Sequence, residues 1–509
     1  MIKEYYQNIE NSVQTRANLI ALRRELKDEK NRRALASLLG GDFTLLSSLL
    51  QDEDPKVRKN AALILGEMES EDLLPVLFDA YKKEDTLYVR ADYLKAISRL
   101  EYRPVVDALK KRLDQLRKME VSVEEQKHVS EEMRVLQAMV MKYEKRQPHR
   151  FTGYSAKKDM ILVTNRCQRE ATARQLPGGR ITMLAGGVRV KGAAVEDVLP
   201  IRTYSELLFP LELSSLALDQ PAKNGRELAP AVLSLARELH QGQKLSPARE
   251  LHQGQEPFLF RIELKGRISP EKKGACIRRI AEAIERASDG GLVNSVTEYE
   301  LEIRLLERKD GTYVPMVKLF TIPQKRFSYR KQFIASSIAP VNAALTAELA
   351  RPYLKEGAQI LDPFCGVGTM LIERHRAVRA GTMYGIDIYG EAIDKARDNT
   401  VRAGEQIYYI NKDFFEFEHT YLFDEIITDM PQVTAGKDRE QIRQLYRKFF
   451  QKAGGHLKRD GVMILYASEP GLVSDMLGAH PEYKLTARFT LNEKNGTGVF
   501  IIHWRDTGK

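Results

Sequence analysis

One stretch of fifteen residues constrains this chain more than any other: Gln359-Ile360-Leu361-Asp362-Pro363-Phe364-Cys365-Gly366-Val367-Gly368-Thr369-Met370-Leu371-Ile372-Glu373. An apolar strand ends in an acid, and a glycine-containing turn then opens a helix. Glycines let backbone come close to a ligand, and a helix N-terminus supplies free N–H groups. A dinucleotide site wants G-x-G-x-x-G, but Leu371 holds the third glycine position, which argues against NAD and FAD. An acid beside the loop instead suits the cationic aminoacyl part of S-adenosylmethionine. The loop contacts expected for such a cofactor are Asp362, Phe364, Gly366, Gly368 and Thr369.

The residues that follow repeat the pattern. Thr382–Ile388 reads as a second strand running up to Asp387, where an acid commonly holds ribose hydroxyls, with Ile388 beside it. A helix over Glu391–Ala403 leads to a third strand, Ile407–Ile410, and then to Asp413 and Phe414; Asp413 is placed to accept from an adenine amine. A fourth strand, Phe423–Ile427, ends at Thr428-Asp429-Met430-Pro431. Acids at successive strand ends fit a doubly wound sheet that binds ligands at its carboxyl edge. Val462–Tyr466 supplies a fifth strand. Leu485–Leu491 and Val499–His503, around Asn495-Gly496, predict a terminal hairpin.

Roughly residues 330–505 resemble the class I S-adenosylmethionine-dependent methyltransferases. D-P-F-C-G-x-G-T is more specific, and is similar to the motif of THUMP-containing RNA guanosine-N2 methyltransferases. Ser336-Ser337-Ile338-Ala339-Pro340 resembles that family's lead-in. The resemblance implies S-adenosyl-L-methionine as cofactor, RNA (tRNA or another structured RNA) as partner, and Asp429 and Pro431 as the catalytic pair. A carboxylate there holds the exocyclic amine so that its lone pair faces the methyl group. In the family an aromatic usually follows the proline and stacks on the flipped base. Here Gln432 and Val433 stand in that place. That departure leaves two other readings open: methylation of DNA or protein, or an RNA-binding scaffold that no longer transfers methyl groups. Cys365 reads as a small loop-packing residue, since cytosine carbon-5 chemistry would want Cys where Gln432 stands.

Upstream, residues 1–147 have little strand signal. Asp54-Pro55-Lys56-Val57-Arg58-Lys59-Asn60-Ala61 fits the D-x-x-V-R-x-x-A pattern of HEAT repeats, and Val57-Arg58 is echoed by Val89-Arg90 at 32 residues' distance. This predicts an α-solenoid that docks substrate or a protein partner. Residues 151–330 alternate strands with a helix, weakly similar to the THUMP module, with a loop insertion expected near 215–256 where Ala236–Gln243 recurs unchanged as Ala248–Gln255. Residues 331–509 complete a multidomain chain of solenoid, α+β middle region and α/β Rossmann-like methyltransferase.

Charge is local. Residues 1–150 carry net +2, residues 151–340 net +9, and residues 341–509 net −1. The run Lys325-Arg326-Phe327-Ser328-Tyr329-Arg330-Lys331 interleaves cations with aromatics, so Lys325, Arg326, Tyr329, Arg330 and Lys331 are candidate RNA contacts, with a solvated linker as the alternative. Three cysteines without Cys/His spacing predict neither a disulfide framework nor a metal site. With no apolar leader, a cytoplasmic location is expected.

Overall fold

The computed structural model describes residues 1–119, 122, 124–143, 148–165, 169–241, 257–433 and 438–505. It divides into two compact units: residues 1–150 with 211–315, and residues 151–210 with 316–509.

The first unit begins with paired helices. Asp54 caps Pro55–Glu67 by accepting from the Lys56 N–H, an arrangement that satisfies one of the helix's free donors. Val57 and Val89, the echoed valines, are both buried. The arginine after each valine turns back to the connection between the helices. Arg58 donates to both Glu84 oxygens at 2.8 and 2.7 Å, and Arg90 Nε donates to the Glu84 carbonyl at 2.6 Å. The repeat pattern therefore encodes one apolar contact and one inter-repeat tie. Helices Val106–Lys118 and Gln126–Tyr143 continue the stack.

The same unit contains a three-stranded parallel set, with Phe258–Lys265 between Leu292–Asn294 and Leu301–Glu307. Helices Pro221–Gln241 and Pro270–Ala287 accompany it. The segment expected as a loop insertion thus begins as a helix. Leu228, Val232, Ala236 and Leu239 recur at helical spacing and are buried. Gly225 allows close approach, since a Cβ there would lie 2.5 Å from the Ala283 backbone. The second copy of the duplicated segment, Ala248–Gln255, and His252 lie outside the described residues.

In the second unit, Lys157–Val163 pairs antiparallel with Gly187–Ala194 on one side and Glu206–Pro210 on the other; Arg180–Leu184 pairs with Gly187–Ala194. Phe209 and Pro210 then pair with Val317 and Met316. Of the middle region, expected as a single module over 151–330, residues 151–210 and 316–330 fall in the same compact unit as the C-terminal α/β part, and residues 211–315 fall in the other. The division relocates the charge. Residues 151–210 hold 9 basic and 5 acidic residues, residues 316–340 hold 5 basic and none acidic, and residues 211–315 hold 16 of each. The whole +9 excess lies in the second unit.

The rest of that unit is a seven-stranded sheet. Its order is Tyr408–Asn411, Thr382–Asp387, Gln359–Asp362, Phe423–Asp429, Leu457–Ala467, Gly498–Trp504, Tyr483–Thr490. The first five strands are parallel, and the last two form the antiparallel terminal hairpin. Successive strand residues face opposite sides. Ile360, Ile427 and Ile464 pack with helices Pro340–Ala350, Thr369–Ala377 and Gly390–Ala403, whereas Leu361, Ile426 and Met463 pack with Arg439–Ala453 and Pro470–Ala479. The chain reverses direction of winding between Gln359–Asp362 and Phe423–Asp429, the position where doubly wound sheets bind ligands.

A fully buried ion pair locks this sheet. Arg374 Nε and Nη2 donate to Glu425 at 2.8 and 2.7 Å, and the Lys355 N–H donates to Glu425 at 2.9 Å. Both side chains are 0% exposed. Arg374→Met strands a buried carboxylate, so denaturant unfolding of the full chain is expected to show a loss of about 3–5 kcal/mol in the transition of this unit. Adding Glu425→Gln to that variant is expected to recover part of it.

Candidate active site

A cavity of about 370 Å³ opens at the carboxyl edge of the parallel strands. The expected residues Asp362, Phe364, Gly366, Thr369, Asp387, Ile388, Asp413, Phe414, Asp429 and Pro431 all line it. Gly368 stands behind the lining, where it shapes the loop. Its φ is +79°, and a Cβ would fall 2.1 Å from the Tyr409 hydroxyl. Only glycine meets both conditions.

The loop is held from the neighbouring strand. Asp387 Oδ2 accepts from the Gly366 N–H at 2.9 Å, and Oδ1 accepts from Tyr389 N–H at 2.9 Å. Each oxygen keeps a lone pair for a hydroxyl. Asp413 caps its own short turn by accepting from Phe415 N–H at 2.9 Å.

Asp362 and Asp429 differ from these in their electrostatics. Asp362 is 1% exposed. Oδ1 accepts from Phe364 N–H at 3.2 Å; Oδ2 is buried, with the Thr428 hydroxyl beside the carboxyl but no hydrogen bond of good geometry. Burial pushes its carboxyl up to about 8; the Phe364 N–H and the nearby Thr428 hydroxyl oppose the rise, and the charges of Asp387 and Asp429 add to it. Asp429 is mostly covered but faces the cavity; burial pushes it up to about 7. Cys365 is buried and its thiol is pushed well above the usual range, chiefly by burial. It stays protonated and packs the loop, as a non-nucleophilic residue would.

The orphaned Asp362 oxygen tests the S-adenosylmethionine expectation. Burial holds this carboxyl protonated; a ligand that brings a cationic donor to the free oxygen would return it to the carboxylate form. A cationic aminoacyl group would do so, and Asp387 and Asp413 stand where a nucleoside's polar edges need acceptors. The apolar Ile388 and Phe414 supply faces for a base. These residues fit the group.

The lining also includes residues not singled out as contacts: Ile334, Ser336, Ser337 and Ile338 around the lead-in, with Met430 and Leu445. Their signal in sequence was the Ser336–Pro340 lead-in itself. Gln432 stands exposed at the rim.

The cation-aromatic run divides differently from expectation. Tyr329 is 2% exposed and donates to Glu373 at 2.6 Å, so it offers no ring face to a base. Arg326 lies 3.7 Å over the Tyr204 ring and donates to the Ile201 and Tyr204 carbonyls. Arg330 donates to Thr369 Oγ1 at 3.2 Å and to the Ile338 carbonyl at 3.0 Å. These three brace the site internally; Lys325 and Lys331 are exposed.

A carboxyl raised in the folded state is protonated there while still ionised in the unfolded chain. Between about pH 4 and 8 the folded state therefore binds more protons, and stability falls as pH rises through that window. Asp362→Asn is expected to flatten this fall, read as the pH dependence of the urea midpoint.

Residues 329–491 match UPF0020, the RMKL-like methyltransferase domain, and residues 44–120 match HEAT repeats. A tRNA (guanine(10)-N2)-dimethyltransferase of Methanothermobacter thermautotrophicus is 30% identical over 146 residues, 28% of this chain and 42% of that protein. The chain thus aligns with less than half the length of that relative. TrmN from Thermus thermophilus has a TM-score of 0.52 at 21% identity, covering 68% of this chain and 99% of its own. SMU.472, complexed with SAH, has a TM-score of 0.50 at 13% identity, covering 70% and 99%. Coverage of this extent reaches beyond the methyltransferase domain, so the shared fold includes part of the middle region. Residues 329–491 are thus similar in sequence to the RMKL-like methyltransferase domain, with the fold of the solved methyltransferases, in a chain whose N-terminal part matches HEAT repeats.

Proposed function

We propose that this chain is an S-adenosylmethionine-dependent RNA methyltransferase that modifies the exocyclic N2 amine of a guanosine in tRNA or another structured RNA. The observation that carries the reading is Asp429. It lies at the end of the fourth parallel strand, beside Pro431, in the same cavity as the orphaned Asp362 oxygen. The named activity of the Methanothermobacter relative and the SAH in SMU.472 support the choice of acceptor and cofactor.

Asp362 would hold the aminoacyl end of the cofactor, Asp387 the ribose, and Asp413 with Ile388 and Phe414 the adenine. When bound, the group supplies a methyl on a positively charged sulfur. Asp429 accepts an N–H from the target amine and fixes its lone pair in line. With its carboxyl near 7, it also accepts the proton that the methylated amine must lose. Pro431 stiffens the backbone beside it. The positive charge of residues 151–210 and 316–340, in the same unit as the site, favours a polyanionic substrate. Lys325 and Lys331 are the members of the basic run left to meet phosphates.

Incubation with labelled cofactor and separate RNA, DNA and protein pools tests the acceptor class. Label is expected in RNA. Label in DNA or protein would move the assignment to those acceptors, and no label would favour the scaffold reading that Gln432 raises.

Two variants separate the roles. Asp429→Ala is expected to reduce methyl transfer by roughly 100-fold or more while cofactor affinity, read by calorimetry, stays unchanged. Asp387→Ala is expected to weaken cofactor binding instead. The wild-type rate is expected to rise with pH through about 7 as Asp429 deprotonates; a flat profile would remove its role as proton acceptor.

A further inference from the structure

A second recess, of about 470 Å³, lies on the HEAT repeats, between helix Leu73–Lys83 and the turn Arg103–Val105 that leads into the next helix. Leu74, Pro75, Phe78, Pro104 and Val105 give it an apolar lining. Its charged lining residues are Glu71, Asp79 and Glu101; among the described residues no cation lines it. Glu71 forms no ion pair among the described residues. Glu101 accepts from the Tyr143 hydroxyl at 2.6 Å and keeps further acceptor capacity.

The protein already shows what such a surface attracts. Lys82 Nζ lies 2.7 Å from Asp79 and 5.1 Å over the Phe78 ring. Both partners of that pair are more than half exposed, at 55% and 61%. An exposed pair like this contributes little and exchanges readily for another cation. The acidic lining, with no cation among the described lining residues, disfavours a phosphate backbone and favours a cationic segment.

We propose that this recess docks a segment of a protein partner in which an apolar side chain is flanked by Lys or Arg. The apolar residue fills the recess between Leu74, Phe78 and Val105. A flanking cation meets Glu71 or Glu101, and can replace Lys82 over Phe78 and Asp79. The inference rests on the helical repeats alone and does not depend on the methyl-transfer reading.

The test uses the full chain and two short fluorescein-labelled peptides, one alternating leucine with lysine and one alternating leucine with glutamate, read by anisotropy. The lysine peptide is expected to bind saturably and to weaken at high salt. The Glu71→Lys/Asp79→Lys double variant changes two exposed carboxylates and is expected to bind it roughly tenfold more weakly. Glu71→Gln, which adds no charge of its own, is expected to weaken it in the same direction. Equal binding of the two peptides, or unchanged affinity in both variants, would overturn the proposal. So would a concentration-dependent dimer in sedimentation that the double variant abolishes, since a second copy would then occupy the recess.

Discussion

Glu373 is the residue on which the geometry of the site depends. It sits on the helix that the glycine-containing loop opens, 1% exposed, and takes three charge-assisted or short hydrogen bonds. Arg202 grips it with both arms at 2.7 and 2.6 Å, and the Tyr329 hydroxyl adds a third contact at 2.6 Å. Arg202 comes from the connection that precedes strand Glu206–Pro210, and Tyr329 from the basic run Lys325–Lys331. One buried carboxylate thus joins the segment before Glu206, the basic run and the loop helix. Removing any partner would leave the carboxylate buried without full compensation, which is why such networks hold geometry tightly. Arg330 on Thr369 repeats the device one turn earlier on the same helix.

The site itself is built from the opposite kind of electrostatics. Asp362 and Asp429 are carboxyls that the fold does not fully pair, and both are raised towards neutrality by burial. The sheet tolerates this at its carboxyl edge because Arg374 and Glu425, deeper in the same layer, are completely matched. A fully satisfied ion pair underneath and unsatisfied acids above is the arrangement expected where rigidity must support reactivity. The HEAT repeats follow a third rule: Arg58 and Glu84 tie successive copies, while the exposed carboxylates of Glu71, Asp79 and Glu101 remain at the surface.

What the sequence made legible was local. Residues 359–373 could be read because strand, acid, turn and helix follow each other without interruption, and each strand-end acid after them is set by its own strand. The HEAT copies were legible because Val57 and Val89 recur at one spacing. What escaped depended on partners far along the chain. The pairing of Phe209 with Val317 joins strands more than a hundred residues apart, and no pattern within 151–330 announces it. The composition of Lys325–Lys331 is the same whether the run is solvated or packed; only Glu373 and Tyr204, distant in sequence, decide it. At Pro221–Gln241 the helical spacing of Leu228, Val232 and Leu239 is in the sequence, beside the first copy of the duplicated ARELHQGQ. The wall formed by Ser336 and Ser337 was visible only as a lead-in, since a loop's facing cannot be read from its residues.

The central claim is that the carboxyl-edge acids of the parallel sheet serve methyl transfer to a guanine amine in RNA. The most direct measurement is nucleoside mass spectrometry of unmodified tRNA after incubation with the full chain and S-adenosylmethionine. The account predicts N2-methylated guanosine with the wild-type chain and none with Asp429→Ala. Methylation confined to another nucleoside, or the same product from the Asp429→Ala chain, would contradict it.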